Sequence, residues 1–263
     1  MSQHDPPTYE LEPDPDVPNL PGEVILRRDI EGAYTSLAAD MMVHAANCVR
    51  TFGDFHLALS GGSTPMPFYR KLMTDPAYRD FPWKRTHLWI VDERRVPHGD
   101  DRSNGTHIEE LLVSHSGIPR AQAHLYETDR PDAAKRYEKL LRETLVWREK
   151  GHDRLDFVLL GMGNDCHTAS LFPGSAAIHE HDKLIVDNDG EGVTPPPRLT
   201  MTYTLLNASR FLALLVTGKK KRDAIARAAG PERPASEIPV HGLRPVGGAL
   251  RWYLDHDACP TIG

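Results

Sequence analysis

The 263-residue chain reads as an α/β protein, a mostly parallel sheet with helices on both faces. Three observations predict this. Short, nearly continuous apolar runs, Phe55–Leu59, Leu155–Leu160 and Phe211–Val216, have the composition of strands buried on both sides. Each run stops at a glycine-bearing turn, and segments of helical periodicity lie between the runs. Length, 40% hydrophobic residues and 26% charged residues suit a folded domain with a substantial core.

Taken in order, residues 1–21 hold several prolines and acids without an apolar segment, and are expected to form a mobile tail rather than a secretory signal or anchor. Residues 22–263 are then one domain, with room for a small lobe in the middle. Glu23–Leu26 suits a short edge strand. From about Glu31 to Arg50, Leu37, Met41, Ala45 and Cys48 recur at helical spacing, and Gly53 ends the helix. Phe55–Leu59 is a strand that gives way at Ser60-Gly61-Gly62-Ser63-Thr64-Pro65 to a helix through Phe68–Met73; Thr64 can cap it and Pro65 suits its first position. Thr86–Val91 is the next strand, followed by a polar loop from Asp92 to Ser103 and a helix to about His115. A helix spans Ala133–Lys150 with Tyr137, Leu140, Leu141 and Leu145 inward, Leu199–Thr202 is a short strand, and Lys219–Ala229 is a helix after Gly218.

A formal charge of −6 argues against a general nucleic-acid binder, which needs a basic surface to neutralise phosphates. An anionic small molecule would need local positive charge set against that average. Cys48, Cys166 and Cys259 are too scattered for a disulfide framework or a CxxC metal site, and read as cytosolic thiols. No apolar run reaches the roughly 18 residues of a membrane span, so the expectation is a soluble, cytoplasmic protein.

Ligands of such sheets bind at the carboxyl ends of strands, which is where every distinctive polar cluster begins. Ser60–Pro65 can serve as a tight βα turn, or it can bring backbone N–H groups and a helix N-terminus to a phosphate. Asp92-Glu93-Arg94-Arg95 follows the strand ending at Val91; it is either a solvated charge run or a source of bidentate guanidinium contacts. In Gly161-Met162-Gly163-Asn164-Asp165-Cys166-His167, glycines bracket an acid and a histidine at a strand end, so Asp165 can orient His167 or stabilise its charged form. No HExxH spacing or Cys/His cluster accompanies them, and no metal is expected. His98, His107, His115 and His124 read as surface or loop residues. Arg198 opens a strand, and Lys219–Lys221 sit where a helix begins, a poor place for cations unless they serve an anion or solubility alone.

In order, SGGSTP, DERxV with a downstream SN, GMGxDxHTASLFPG, RLT and TGxxK resemble the 6-phosphogluconolactonase family from about Ser60 to Lys221. The resemblance implies a Rossmann-like fold related to the sugar-phosphate isomerases and amino-sugar-phosphate deaminases. It implies hydrolysis of 6-phosphogluconolactone in the pentose phosphate pathway, with no cofactor. A monomer or small homo-oligomer is expected, a choice the sequence leaves open. By the same resemblance, Gly61, Gly62, Ser63 and Thr64 hold the phosphate with Arg94, Arg198 and Lys221, while His167 is the catalytic base and Asp165 its orienter. N–H groups near Gly161–Gly163 are candidate oxyanion donors. The chain departs from the family at Cys166, where glycine is usual, which bears on the local backbone and the placement of His167. A glucosamine-6-phosphate deaminase would continue differently after the histidine, and a non-catalytic sugar-phosphate sensor would have no use for the Asp165–His167 pair.

Overall fold

The computed structural model describes residues 16–146, 148 and 153–260. Its first half runs β1 (Glu23–Arg27), α1 (Ile30–Phe52), β2 (Phe55–Leu59), α2 (Pro65–Thr74), β3 (Thr86–Ile90), β4 (Asp92–Arg94) and α3 (Asn104–Ile108). A π-helical segment, Glu109–Val113, carries α3 into α4 (Ser114–Ser116), and β5 (Ala123–His124) and α5 (Ala133–Leu145) follow. The second half is β6 (Phe157–Leu160), β7 (Ile185–Asn188), β8 (Arg198–Met201), α6 (Tyr203–Ala208), β9 (Phe211–Val216), a 3-10 turn Lys219–Lys221, α7 (Arg222–Ala228) and β10 (Ala249–Asp255).

Seven strands form a parallel sheet in the order β1-β10-β9-β6-β2-β3-β5. From β2 the chain steps outward to β3 and β5, then returns to place β6 on the other side of β2. This reversal opens a crevice between the loops that leave β2 and β6, the usual place for a ligand. A second, antiparallel sheet, β4-β8-β7, is the lobe in the middle of the chain. The expected polar loop after Val91 therefore begins as a strand, because β8 supplies partners that local sequence does not reveal; Arg94 lies opposite Arg198 in the register.

Local chemistry accounts for the elements that carry the crevice. Asp29 caps α1 by accepting from the Gly32 N–H at 2.8 Å, and Gly53 closes it at φ 90°, a conformation glycine adopts without steric cost. The expected inner face of α1 is buried, with Leu37, Met41 and Ala45 fully enclosed. Phe157, Phe211, Trp89, Trp252 and Tyr253 are buried in the same hydrophobic cluster, each such side chain contributing roughly 1.5–3 kcal/mol. Thr64 stands at the start of α2 without making its expected cap: its backbone is already αR (φ −70°), and Pro67 removes one of the two N–H groups a cap could accept from.

Two further expectations change at the ends. Residues 1–15 of the expected tail lie outside the described residues, whereas Leu20 is buried in the core and Trp252 Nε1 donates to the Pro21 carbonyl at 2.8 Å. The described part of the expected helix to Lys150 ends at Leu145, and residues 147, 149 and 150 lie outside the described set. Among the described residues no helix is long and apolar enough to cross a membrane.

Candidate active site

The loops after β2, β3, β6 and β9 converge on a cleft of about 220 Å³ lined by Ser60–Pro65, Asp92, Arg94, Asn104, Gly161–Gly163, His167, Ala169 and Lys221. Nearly all the residues singled out from sequence meet here. On one wall, the turn after β2 has Gly62 at φ 98°, and among the described residues no acceptor meets the N–H groups of Gly61, Gly62, Ser63 or Thr64. With the N-terminus of α2 they present donors and partial positive charge to the cleft. Gly61 is required for a different reason: a Cβ there would lie 1.9 Å from Asn104 Oδ1.

Asp92 and Asn104, noted from sequence within the DER and SN motifs but given no role of their own, line the cleft. Asn104 Nδ2 donates to the Asp92 carbonyl at 2.7 Å, which fixes the amide with its oxygen against Gly61. The Asp92 carboxylate accepts from Ser170 Oγ at 2.7 Å. Glu93 turns the other way and caps α3, accepting from the backbone N–H groups of Asn104 (2.8 Å) and Gly105 (2.7 Å) and from Ser103 Oγ (3.0 Å). The DER and SN segments are thus one hydrogen-bonded unit, and their separation by a polar stretch in sequence was the only hint of it.

The cations are arranged in two places. Arg94 Nη1 donates to the Arg102 carbonyl at 2.7 Å, and the Arg198 Nη2 to Thr194 at 3.1 Å, while the Nε of each is buried without a partner. Burial, and then the charge of Arg94, pull the Arg198 guanidinium below its ordinary pKa. Two guanidiniums side by side repel unless an anion joins them. Arg198, expected at the phosphate, is not among the residues lining the cleft; its Cζ lies 5.8 Å from the Phe172 ring centre. On the opposite side, Lys221 Nζ donates to the Met162 carbonyl (2.7 Å) and Asn164 Oδ1 (3.1 Å). Its burial lowers the ammonium pKa, partly offset by the charge of Asp165.

His167 closes the site. Its Nδ1 lies 2.5 Å from Asp165 Oδ1, and the same oxygen accepts the His167 backbone N–H at 3.1 Å. Burial alone would raise the Asp165 pKa, but the hydrogen bond and charge of His167 outweigh it and hold the carboxyl below its usual value. A Cβ at Gly163 would lie 2.1 Å from His167 Nδ1, so this glycine admits the imidazole. The Gly163 N–H donates to the His167 carbonyl at 2.8 Å, which removes it from the expected oxyanion donors. Cys166 adopts φ 67°, where a glycine would sit without strain, and its thiol is buried against α7.

A second cluster lies at the amino ends of the strands. His124, expected on the surface, is buried and stacked on Trp89 at 3.8 Å, because β5 completes the sheet edge. Asp54, His56 and His87 bring ligand atoms within 4.8 Å of one another. His56 already uses both ring nitrogens, toward Asp54 (3.1 Å) and Trp89 (3.1 Å), and its ring lies 14° from parallel with that of His87 at 4.6 Å. Stacked rings do not aim their in-plane lone pairs at a common ion, so this geometry does not fit a metal.

Fold and cleft together define an α/β protein with a small cleft, rich in backbone N–H donors and cations, at the carboxyl edge of its parallel sheet. Residues 28–252 match the family described as glucosamine-6-phosphate isomerases/6-phosphogluconolactonase, and the chain belongs to that family. It is 36% identical over 231 residues to the human GDH/6PGL endoplasmic bifunctional protein, covering 87% of this chain but only 29% of that relative. With the 6-phosphogluconolactonase of Nostoc sp. it shares 35% identity, covering 79% of this chain and 84% of the relative. The crystal structure of 6-phosphogluconolactonase from Thermotoga maritima superimposes with a TM-score of 0.71 at 29% identity, covering 89% of this chain and 99% of that one.

Proposed function

We propose that the protein hydrolyses 6-phospho-D-glucono-1,5-lactone to 6-phosphogluconate, as a 6-phosphogluconolactonase of the oxidative pentose phosphate pathway. The observation that carries this reading is the 2.5 Å His167–Asp165 pair inside the same small cleft as the open N–H groups of Gly61–Thr64. An acid and base unit faces an anion cradle across a space of about 220 Å³. The relatives named above support the substrate.

Asp165 accepts from Nδ1–H and leaves Nε2 of His167 as the base. Nε2 takes a proton from water, the resulting hydroxide adds to the lactone carbonyl, and the tetrahedral intermediate collapses with cleavage of the bond to the ring oxygen. Nε2–H returns the proton to that oxygen, so the imidazole is regenerated. A lactone is an activated ester, and no cofactor is called for. Gly61, Gly62, Ser63 and Thr64 hold the phosphate, Arg94 and Lys221 supply charge from opposite sides, and Arg198 adds charge from its place opposite Arg94 in the strand register. The expected domain of residues 22–263 gains Leu20 and Pro21 at its N-terminal side and acts as one cytoplasmic lactonase domain.

The test is to generate the lactone with glucose-6-phosphate dehydrogenase and follow acid formation with and without the protein. Acceleration over spontaneous opening supports the reading. Ammonia release from glucosamine 6-phosphate, without lactone opening, would instead assign the isomerase branch of the family.

A further inference from the structure

The turn that carries His167 is tied to α7 and to the 3-10 turn before it: Lys221 and Arg227 reach it with their side chains, and Ala224 with its backbone carbonyl. Lys221 Nζ holds the Met162 carbonyl and Asn164 Oδ1, at 2.7 and 3.1 Å. The Ala224 carbonyl accepts the Cys166 S–H at 3.4 Å. Arg227 Nη2 donates to the Asn164 carbonyl at 2.6 Å and to Cys166 Sγ at 3.3 Å.

These contacts fall on the residues that set the position of the imidazole. Cys166 N–H donates to the Gly163 carbonyl at 3.1 Å and Gly163 N–H to the His167 carbonyl at 2.8 Å, so the turn is closed on itself. Within it Cys166 keeps φ 67°, which a residue with a Cβ adopts only against a steric cost. Two sulfur contacts to α7 offset that cost. Among the described residues Arg227 makes no ion pair, and its guanidinium is directed at the turn. A planar, permanently charged donor suits two acceptors held in fixed relation.

We propose that Arg227 is a positioning residue: with the Cys166 thiol as a second point of attachment, it fixes the 163–167 turn so that His167 stays against Asp165. It touches neither cleft nor substrate. The kinetic side of this inference rests on the lactonase reading; the structural side does not.

The test uses the full chain with Arg227→Met, which keeps the aliphatic stem and removes the donors, and Arg227→Lys, which keeps one charged donor. Arg227→Met lowers kcat about tenfold and changes KM for the phosphorylated lactone by less than about twofold, with partial recovery in Arg227→Lys. In the absence of substrate, the His167 Nδ1–H proton resonance of the native protein broadens or disappears in Arg227→Met and returns in Arg227→Lys. An unchanged resonance with unchanged kcat overturns the proposal, as does a loss of thermal stability with the resonance intact. Should Arg227→Met fail to fold, Arg227→Gln carries the test: a weakened resonance supports the attachment, and an unchanged one overturns it. An inactive native chain would overturn the lactonase reading alone, because the resonance comparison needs no turnover.

Discussion

Replacing Asp165 by asparagine separates charge from geometry at the His167 pair. One oxygen, Asp165 Oδ1, accepts both the ring Nδ1–H at 2.5 Å and the His167 backbone N–H at 3.1 Å. The backbone group can only donate, so a carboxamide at this position keeps its oxygen there, and the same oxygen continues to accept from the ring. The tautomer with a free Nε2 is retained and only the negative charge is lost. A hydrogen bond to a charged group contributes about 1.5–3 kcal/mol. Side-chain exposures of 46% for Asp165 and 30% for His167 place this one at the weak end. The neutral amide keeps a hydrogen bond worth about 1 kcal/mol, so the loss is the difference of about 0.5 kcal/mol, about a two- to threefold fall in kcat. If the amide instead turned its NH2 toward the ring, the wrong tautomer would cost on the order of 10⁴. Asp165→Ala, which removes both charge and orientation, is expected to fall about 10²-fold. The assay is acid release at constant pH with spontaneous lactone opening subtracted, on variants whose far-UV circular dichroism matches the native protein. Native activity in Asp165→Asn would refute a role for the charge, and a loss near 10⁴ would refute control of the amide by the backbone N–H.

Four other perturbations follow from the same geometry. His167→Ala is expected to lower kcat about 10²-fold or more with little change in KM, and near-native turnover would remove it from the mechanism. Arg94→Ala should raise KM for the phosphorylated lactone and leave a non-phosphorylated lactone nearly unaffected, and equal losses on both would show that Arg94 does not recognise phosphate; Lys221→Ala, which also frees the Met162 carbonyl and Asn164, should raise KM for the phosphorylated lactone and lower kcat on both. Cys166→Gly relieves a left-handed side chain worth about 1 kcal/mol and gives up a buried thiol worth a similar amount, so kcat should stay within about threefold and thermal stability nearly constant. Trapping of a thioester on the native enzyme would overturn the water mechanism. Burial first, then neighbouring positive charge, depresses His87 to about 4 and His124 to about 3, with His56, Asp54 and Arg148 as the nearby charged or titratable groups. The unfolded chain therefore takes up these protons first: stability is full above pH 6.5 and declines as pH falls toward about 4. Melting curves across that range should be flatter for His87→Gln than for the native protein, and identical acid sensitivity would exclude the histidine stack as the cause.

The sequence by itself determined the elements whose signals are local. Phe55–Leu59 and Phe211–Val216 are strands over the expected ranges because a parallel strand covered on both faces must be apolar throughout. Asp165 and His167 were legible because two residues apart in a glycine-bounded turn they have few ways to avoid each other. Long-range pairing was decided by the tertiary structure. β10 joins β1 across more than two hundred residues, β8 turns Asp92–Arg94 into a strand, and β5 buries His124, none of which a periodicity within one segment can encode. The same holds for the supports of the site: Asn104 reaches Gly61 and Arg227 reaches Asn164 only because separate crossovers end at one edge of the sheet. A residue's chemistry is written at its own position, but which groups it meets depends on the register of strands far away in the chain, and that is fixed only when the whole core packs.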